Sequence, residues 1–173
     1  MTGTGSSGGA GAPDDPGIEG VTLVSPPTFP DDRGAVYRML RRTDDHFPGF
    51  GEIYFSSVYE GVVKAWKRHR SLVGSYVCVH GRVRMVLYDD REKASSRGTL
   101  AEIEMGPDRY RLVVVPPGVW NGFVGLASPV SVMANCASEV YDPAEFDRID
   151  PHDERIPYRW ASDRERPVGE GHD

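Results

Sequence analysis

The sequence has little of what marks the more specialised classes of protein. It contains two cysteines, Cys78 and Cys136, each inside an apolar stretch. That is too few for a disulfide framework or a cysteine zinc site, so both read as core thiols. No segment approaches the ~20 apolar residues needed to span a bilayer. The N-terminus also lacks the charged-then-apolar order of a signal peptide, so no membrane partner and a cytoplasmic setting are expected. Twenty Lys and Arg stand against 26 Asp and Glu, a net charge of −6. No long basic run interleaves with aromatics as a nucleic-acid surface would, and no nucleic-acid partner is expected. Helix signals are weak, and no internal repeat is visible.

Against this background one local feature stands out, the basic cluster Lys64, Lys67, Arg68, His69 and Arg70. A short positive patch on an acidic protein suits a small anionic ligand such as a nucleotide diphosphate. A solvated strand edge would have the same composition.

The 173 residues fit one domain with tails. Residues 1–19 are dominated by Gly, Ser, Ala, Pro and Asp and cannot bury enough apolar surface to offset chain entropy, so a disordered tail is expected there. Residues 161–173 read as a second flexible tail, leaving a folded domain over 20–160. Within it, short β-branched and aromatic runs alternate with Gly, Pro and Asp turns, the pattern of an all-β sandwich or barrel. Strands are expected over 21–25, 34–40, 52–59, 62–67, 75–80, 83–89, 101–104, 111–115, 122–126 and 130–136. Gly81 joins two of them as a hairpin, because a tight turn there demands positive φ. Pro116-Pro117-Gly118 stops another, since proline has no N–H for the ladder.

Two segments carry the chemistry. In metal-dependent barrels of the cupin type, one strand supplies two histidines two residues apart, and a later Pro-x-Gly-x-x-His turn supplies another. Here the first segment is Gly61-Val62-Val63-Lys64-Ala65-Trp66-Lys67-Arg68-His69, with lysine where the first histidine would stand. The second is Pro116-Pro117-Gly118-Val119-Trp120-Asn121, with asparagine in place of histidine. Lys, His and Asn make a poor metal set, because an ammonium repels cations and a carboxamide is a weak ligand. No metal and no other cofactor are expected.

These segments, with Arg33-Gly34, Val79-His80-Gly81-Arg82-Val83, Tyr88-Asp89-Asp90-Arg91, Val115–Phe123 and Asp153 seven residues before Trp160, resemble the dTDP-4-dehydrorhamnose 3,5-epimerase family over about 130 residues. The resemblance implies a cupin fold, a double-stranded β-helix or jelly-roll barrel with few short helices. It also implies a homodimer and a nucleotide-sugar substrate. The implied chemistry is proton transfer beside the ketone of a nucleotide-linked 4-keto-6-deoxyhexose: a base removes a hydrogen from the carbon next to the ketone, and an acid returns one from the opposite face.

The family's catalytic residues carry over unevenly. Its histidine base falls on Lys67, and the supporting aspartate is retained as Asp153. Its enolate-stabilising lysine falls on Gly74, its tyrosine acid on Ala134, and a further active-site histidine on Asn121. Arg33 and Lys64 match basic positions against the nucleotide diphosphate, and Ser56 matches a polar position on the preceding strand. Arg38 replaces a glutamate that in the family holds the thymine base across a dimer interface, an exchange of acceptor for donor.

Lys67 is therefore open to three readings: a general base, an amine forming a Schiff base, or a salt bridge to Asp153 that fills the pocket. His69 shares the face of Lys67 if the strand is regular and could be a displaced acid or base; a bulge would turn it out. Trp66 and Trp120 could stack on a sugar or base, or pack in the core. Asn121 could donate to a ligand oxygen or cap its turn. Tyr54, Tyr76 and Tyr141 are the phenols available to replace the lost tyrosine. The expected activity is an isomerase with altered catalytic residues. The alternatives are a non-catalytic cupin that binds a sugar nucleotide or related metabolite, and a metal-free cupin that runs a dehydration or cyclisation.

Overall fold

A computed structural model describes residues 15–160. Two five-stranded antiparallel sheets face each other, joined to a two-stranded ribbon. The first sheet has the order β1 (Thr22–Val24), β9 (Leu112–Val115), β6 (Gly74–His80), β11 (Val130–Ala137) and β4 (Glu52–Tyr59). The second runs β12 (Phe146–Arg148), β5 (Val63–His69), β10 (Val119–Gly125), β7 (Val83–Asp89) and β8 (Leu100–Met105). The ribbon pairs β2 (Thr28–Asp31) with β3 (Gly34–Tyr37). A single 3-10 turn over Pro143–Glu145 is the only helix among the described residues. The all-β cupin expectation holds.

Period-two alternation decides what faces what. Val83, Met85 and Leu87 of β7 point inward with Tyr76 and Cys78 of β6, Val113 and Val115 of β9 and Met133 of β11, forming the core between the sheets. Their sequence neighbours point outward and find separate covers. Val77, Leu112, Val114 and Ala134 pack with Tyr110 on the outside of the first sheet. Val86, Trp66, Trp120 and Val124 pack under Ile156 and Trp160 outside the second. Both cysteines are buried free thiols.

Most strand boundaries fall within a few residues of expectation, and β4 and β7 match throughout. Two strands were not foreseen. β2 contains Pro30 and Asp31, poor strand formers, and exists only as half of an exposed ribbon. β12 is three residues long and is held by its pairing to β5. The N-terminal boundary also moves. Ile18 is buried in the core, the Glu19 carbonyl accepts from Arg91 Nη2 at 2.6 Å, and the Glu19 carboxylate accepts from the Ser95 amide and hydroxyl. Composition hid this, because one isoleucine amid Gly, Asp and Pro is enough to anchor a chain that already has partners. The rest of the expected tails, residues 1–14 and 161–173, lies outside the described residues.

Candidate active site

The basic cluster on β5 divides across the sheet. Lys64, Lys67 and His69 line the space between the sheets. Arg68 points outward, where it pairs with Asp90 and Asp147 and lies over the Trp120 ring at 4.4 Å. Arg70 also pairs with Asp147. Strict alternation would put residues 64 and 67 on opposite faces. The pairing register shifts between Asn121↔Lys67 and Phe123↔Lys64, so β5 carries one extra residue there, and this bulge lets both lysines face inward. Beyond it the strand is regular, which keeps His69 on the face of Lys67.

At this end of the barrel the two sheets enclose a cavity of about 660 Å³. Lys67 Nζ donates to the Tyr54 hydroxyl at 3.2 Å, and Asn135 Nδ2 donates to the same oxygen at 2.5 Å. Tyr54 and Asn135 are direct partners across the β4–β11 ladder. Near the mouth, Lys64 Nζ donates to the Ser56 hydroxyl at 3.0 Å, and Arg148, opposite Lys67 on β12, lies over the Phe146 ring at 4.2 Å.

The inner walls hold polar groups with nothing to bond. Both ring nitrogens of His69, the Asn121 Nδ2, the Asn135 Oδ1 and the Tyr76 hydroxyl are buried without a hydrogen-bond partner. Each such group typically costs about 1–3 kcal/mol. Such groups on both walls of one cavity are the arrangement that a polar ligand relieves. Burial pulls the His69 imidazole down to about 4, the Lys67 ammonium and Arg148 adding to it against the opposing pull of Glu145. At neutral pH His69 is an uncharged ring with a free acceptor nitrogen. Burial, reinforced by Tyr54, holds the Tyr76 hydroxyl far above the ordinary phenol range.

Several sequence-derived assignments are corrected. Asp153 does not support Lys67: its carboxylate takes two bonds from Arg155, at 2.8 and 2.7 Å, which hold its pKa at about 2, and it does not line the cavity. An arginine two residues away reaches the carboxylate with a bidentate fit that a lysine across the barrel does not match. Trp120 faces outward against Arg68 and donates to Asp90 at 2.9 Å. Trp66 borders the cavity, but its ring packs on Trp160 and Tyr158 and its indole N–H donates to the Pro151 carbonyl. Neither indole is free to stack on a ligand. Arg33 pairs with Asp31 on the exposed ribbon, and Arg38 follows that ribbon; neither lines this chain's cavity. Ala134 faces the outer cluster, and the inward positions beside it are Met133 and Asn135. At Gly74, a Cβ would stand 2.6 Å from the Tyr76 hydroxyl, so the Tyr76 ring occupies the space a longer side chain there would need. Lys64, Ser56, Lys67, His69 and Asn121 do come together.

Sequence reasoning missed Asn135 and Arg148. Asn135 was legible from parity, being two residues from core-facing Met133. Arg148 was not, because its strand had no pattern of its own. Among the described residues, no three His, Cys, Asp or Glu side chains gather as a metal site would require.

Four matches to known proteins bear on this geometry. A family model described as dTDP-4-dehydrorhamnose 3,5-epimerase matches residues 15–170. A crystal structure of a dTDP sugar isomerase from Desulfovibrio desulfuricans G20 superposes with a TM-score of 0.81 at 39% identity, covering 84% of this chain and 93% of that one. The probable low-salt glycan biosynthesis epimerase Agl13 of Haloferax volcanii is 32% identical over 145 residues, 83% of this chain and 90% of Agl13. The spore coat polysaccharide biosynthesis protein SpsL of Bacillus subtilis is 29% identical over 148 residues, 84% of this chain and 98% of SpsL.

The depressed His69 pKa makes stability depend on pH with a definite sign. Between about 6.5 and about 4 the unfolded chain binds a proton at this residue that the folded chain does not, so stability falls as pH falls through that window, by up to about 1.4 kcal/mol per pH unit. Urea unfolding at several pH values checks it: the His69→Gln protein should lose this part of the slope while keeping the carboxylate-driven loss at lower pH.

Proposed function

The chain belongs to the dTDP-4-dehydrorhamnose 3,5-epimerase family, and from that premise we propose that it epimerises a nucleoside-diphosphate-linked 4-keto-6-deoxyhexose beside the ketone. The observation that carries the reading is the inner wall of unpartnered polar groups, His69 and Asn121 among them, beside the Lys67 ammonium. Proton abstraction next to a ketone needs an uncharged base and donors at the oxygen that becomes the enolate. His69 is the uncharged base, with a nitrogen free to accept. Asn121 Nδ2 and the Lys67 ammonium are the donors for the ketone oxygen. Lys67 thus serves as a fixed cation, a role that needs no carboxylate behind it. Lys64 with Ser56, and Arg148 beside Lys67, supply positive charge for the diphosphate.

The proposal extends to a homodimer. Ile53, Phe55 and Tyr59 on the outward face of β4 are exposed, as are Phe29 and Val36 on the ribbon. Exposed apolar side chains on the edge strand β4 and on the ribbon are surface that a second copy would cover. Such a partner would also give Arg33 and Arg38 a cavity to approach, which their own chain does not. A cytoplasmic setting is supported by the two free thiols; no described helix is long and apolar enough to cross a membrane.

The direct test is to incubate the protein with a nucleotide 4-keto-6-deoxyglucose in deuterated water and follow C3 and C5 by NMR. Deuterium should enter at one or both carbons, and His69→Gln and Lys67→Ala should each slow uptake by about 10²–10⁴. Binding without exchange would make the protein a sugar-nucleotide binding module. For the dimer, sedimentation should give two copies at micromolar concentration, and Phe55→Asp should give monomers; a monomeric wild-type protein would overturn it.

A further inference from the structure

Inverting a carbon beside a ketone requires a proton donor on the face opposite the base, and nothing so far identifies one. Three phenols lie near the cavity. Tyr76 is buried, holds its proton tightly and has its hydroxyl packed over Gly74. Tyr141 stacks on Phe146 at 5.5 Å and is more than half exposed. Tyr54 differs from both. It projects from β4 in one sheet, while His69 projects from β5 in the other, so the two groups enter the cavity from opposing walls.

The surroundings of the Tyr54 oxygen specify what it can do. Two N–H donors converge on it, Lys67 Nζ at 3.2 Å and Asn135 Nδ2 at 2.5 Å. With both lone pairs engaged, the oxygen is a poor acceptor for anything further. The side chain keeps 36% of its surface accessible. A phenol that lines the cavity with an ammonium bonded to its oxygen is placed to give its proton to a ligand there. The ammonium and the amide N–H are then already in place beside the oxygen that is left charged.

We infer that Tyr54 is the catalytic acid of the proposed epimerisation, delivering its hydroxyl proton to the sugar carbon from the face opposite His69. The inference rests on the reading of the site given above. His69 takes the proton from the C–H bond, whose electron pair moves into the new C=C bond as the carbonyl pair moves onto oxygen. When the enolate collapses, the C=C pair captures the Tyr54 proton; the new C–H bond forms as the O–H bond breaks, leaving a phenolate and an imidazolium. Between turnovers the imidazolium gives its proton to water in the cavity and the phenolate takes one from water, with Lys67 beside the Tyr54 oxygen. Protons balance with water as the only other reagent. Asn135 is a positioning residue, acting through the Tyr54 oxygen.

The two halves of the reaction can be read separately in deuterated water. Tyr54→Phe keeps the ring and removes only the donor. Loss of the substrate hydrogen to solvent should continue within about threefold of wild type, while formation of the inverted epimer should fall by about 10²–10⁴. Asn135→Ala should lower inversion by about tenfold with a smaller effect on exchange. Undiminished binding of the nucleoside diphosphate would show that both variants remain folded. The inference is overturned if wild type epimerises and Tyr54→Phe inverts at the same rate, or if exchange and inversion fall together in both variants. Absence of exchange in wild type would instead remove the proposed function on which the inference rests.

Discussion

Everything at this site depends on how β5 distributes its charges between the two faces of a sheet. One extra residue between Lys64 and Lys67 lets both lysines point inward, and regular alternation after it adds His69. Without the bulge, one ammonium would lie outside with Arg68, where Asp90 and Asp147 already wait for cations. Among the described residues, Lys64 and Lys67 form no salt bridge with a carboxylate. Lys67 donates to a phenol and Lys64 to a serine hydroxyl, both neutral acceptors. The cavity lining sets Lys64, Lys67 and Arg148 against Glu52, Asp142 and Glu145, so the positive charge is local to the β5 wall, where an anionic ligand group would be met.

This arrangement replaces one catalytic logic with another. A histidine held by an aspartate is a base made strong by its partner; here the carboxylate at Asp153 is consumed by Arg155, and the imidazole stands one turn of alternation further along, bare and uncharged. Its low proton affinity is set by burial and by Lys67, and both influences change when an anionic sugar nucleotide fills the space. In the proposed reaction the unpartnered Asn121 amide and the Lys67 ammonium would stabilise charge as it forms on the substrate, the kind of preorganised contribution that commonly dominates such reactions. On the opposite wall, Tyr54 is bonded to Lys67 and Asn135.

The fold was legible in the sequence because its strands obey simple rules. Glu52–Tyr59 and Val83–Asp89 alternate cleanly between Gly, Pro and Asp turns, and their limits agree with the structure throughout. Short strands that depend on a partner, such as Phe146–Arg148, carry no signal of their own, and Arg148 was hidden with them. At the site, Ser56, Lys64, Lys67, His69 and Asn121 were found to face inward, while Asn135 and Arg148 were missed. Parity already contained two of the corrections: if Lys67 and Asn121 face the cavity, Trp66 and Trp120 face away. The Lys67–Asp153 pairing failed for a different reason, competition from a nearby arginine whose planar fork fits a carboxylate better. Distances between side chains on facing sheets, Tyr54 to Lys67 above all, are set by how the barrel closes, and no local pattern encodes that.

The most direct test of the account is a crystal structure of the protein with a nucleoside-diphosphate-linked 6-deoxysugar bound. The sugar ring should lie between Tyr54 and His69, its C4 oxygen about 3 Å from Asn121 Nδ2 and Lys67 Nζ, with the diphosphate between Lys64 and Arg148. A sugar bound elsewhere, or Lys67 turned away from the cavity toward a carboxylate, would contradict it.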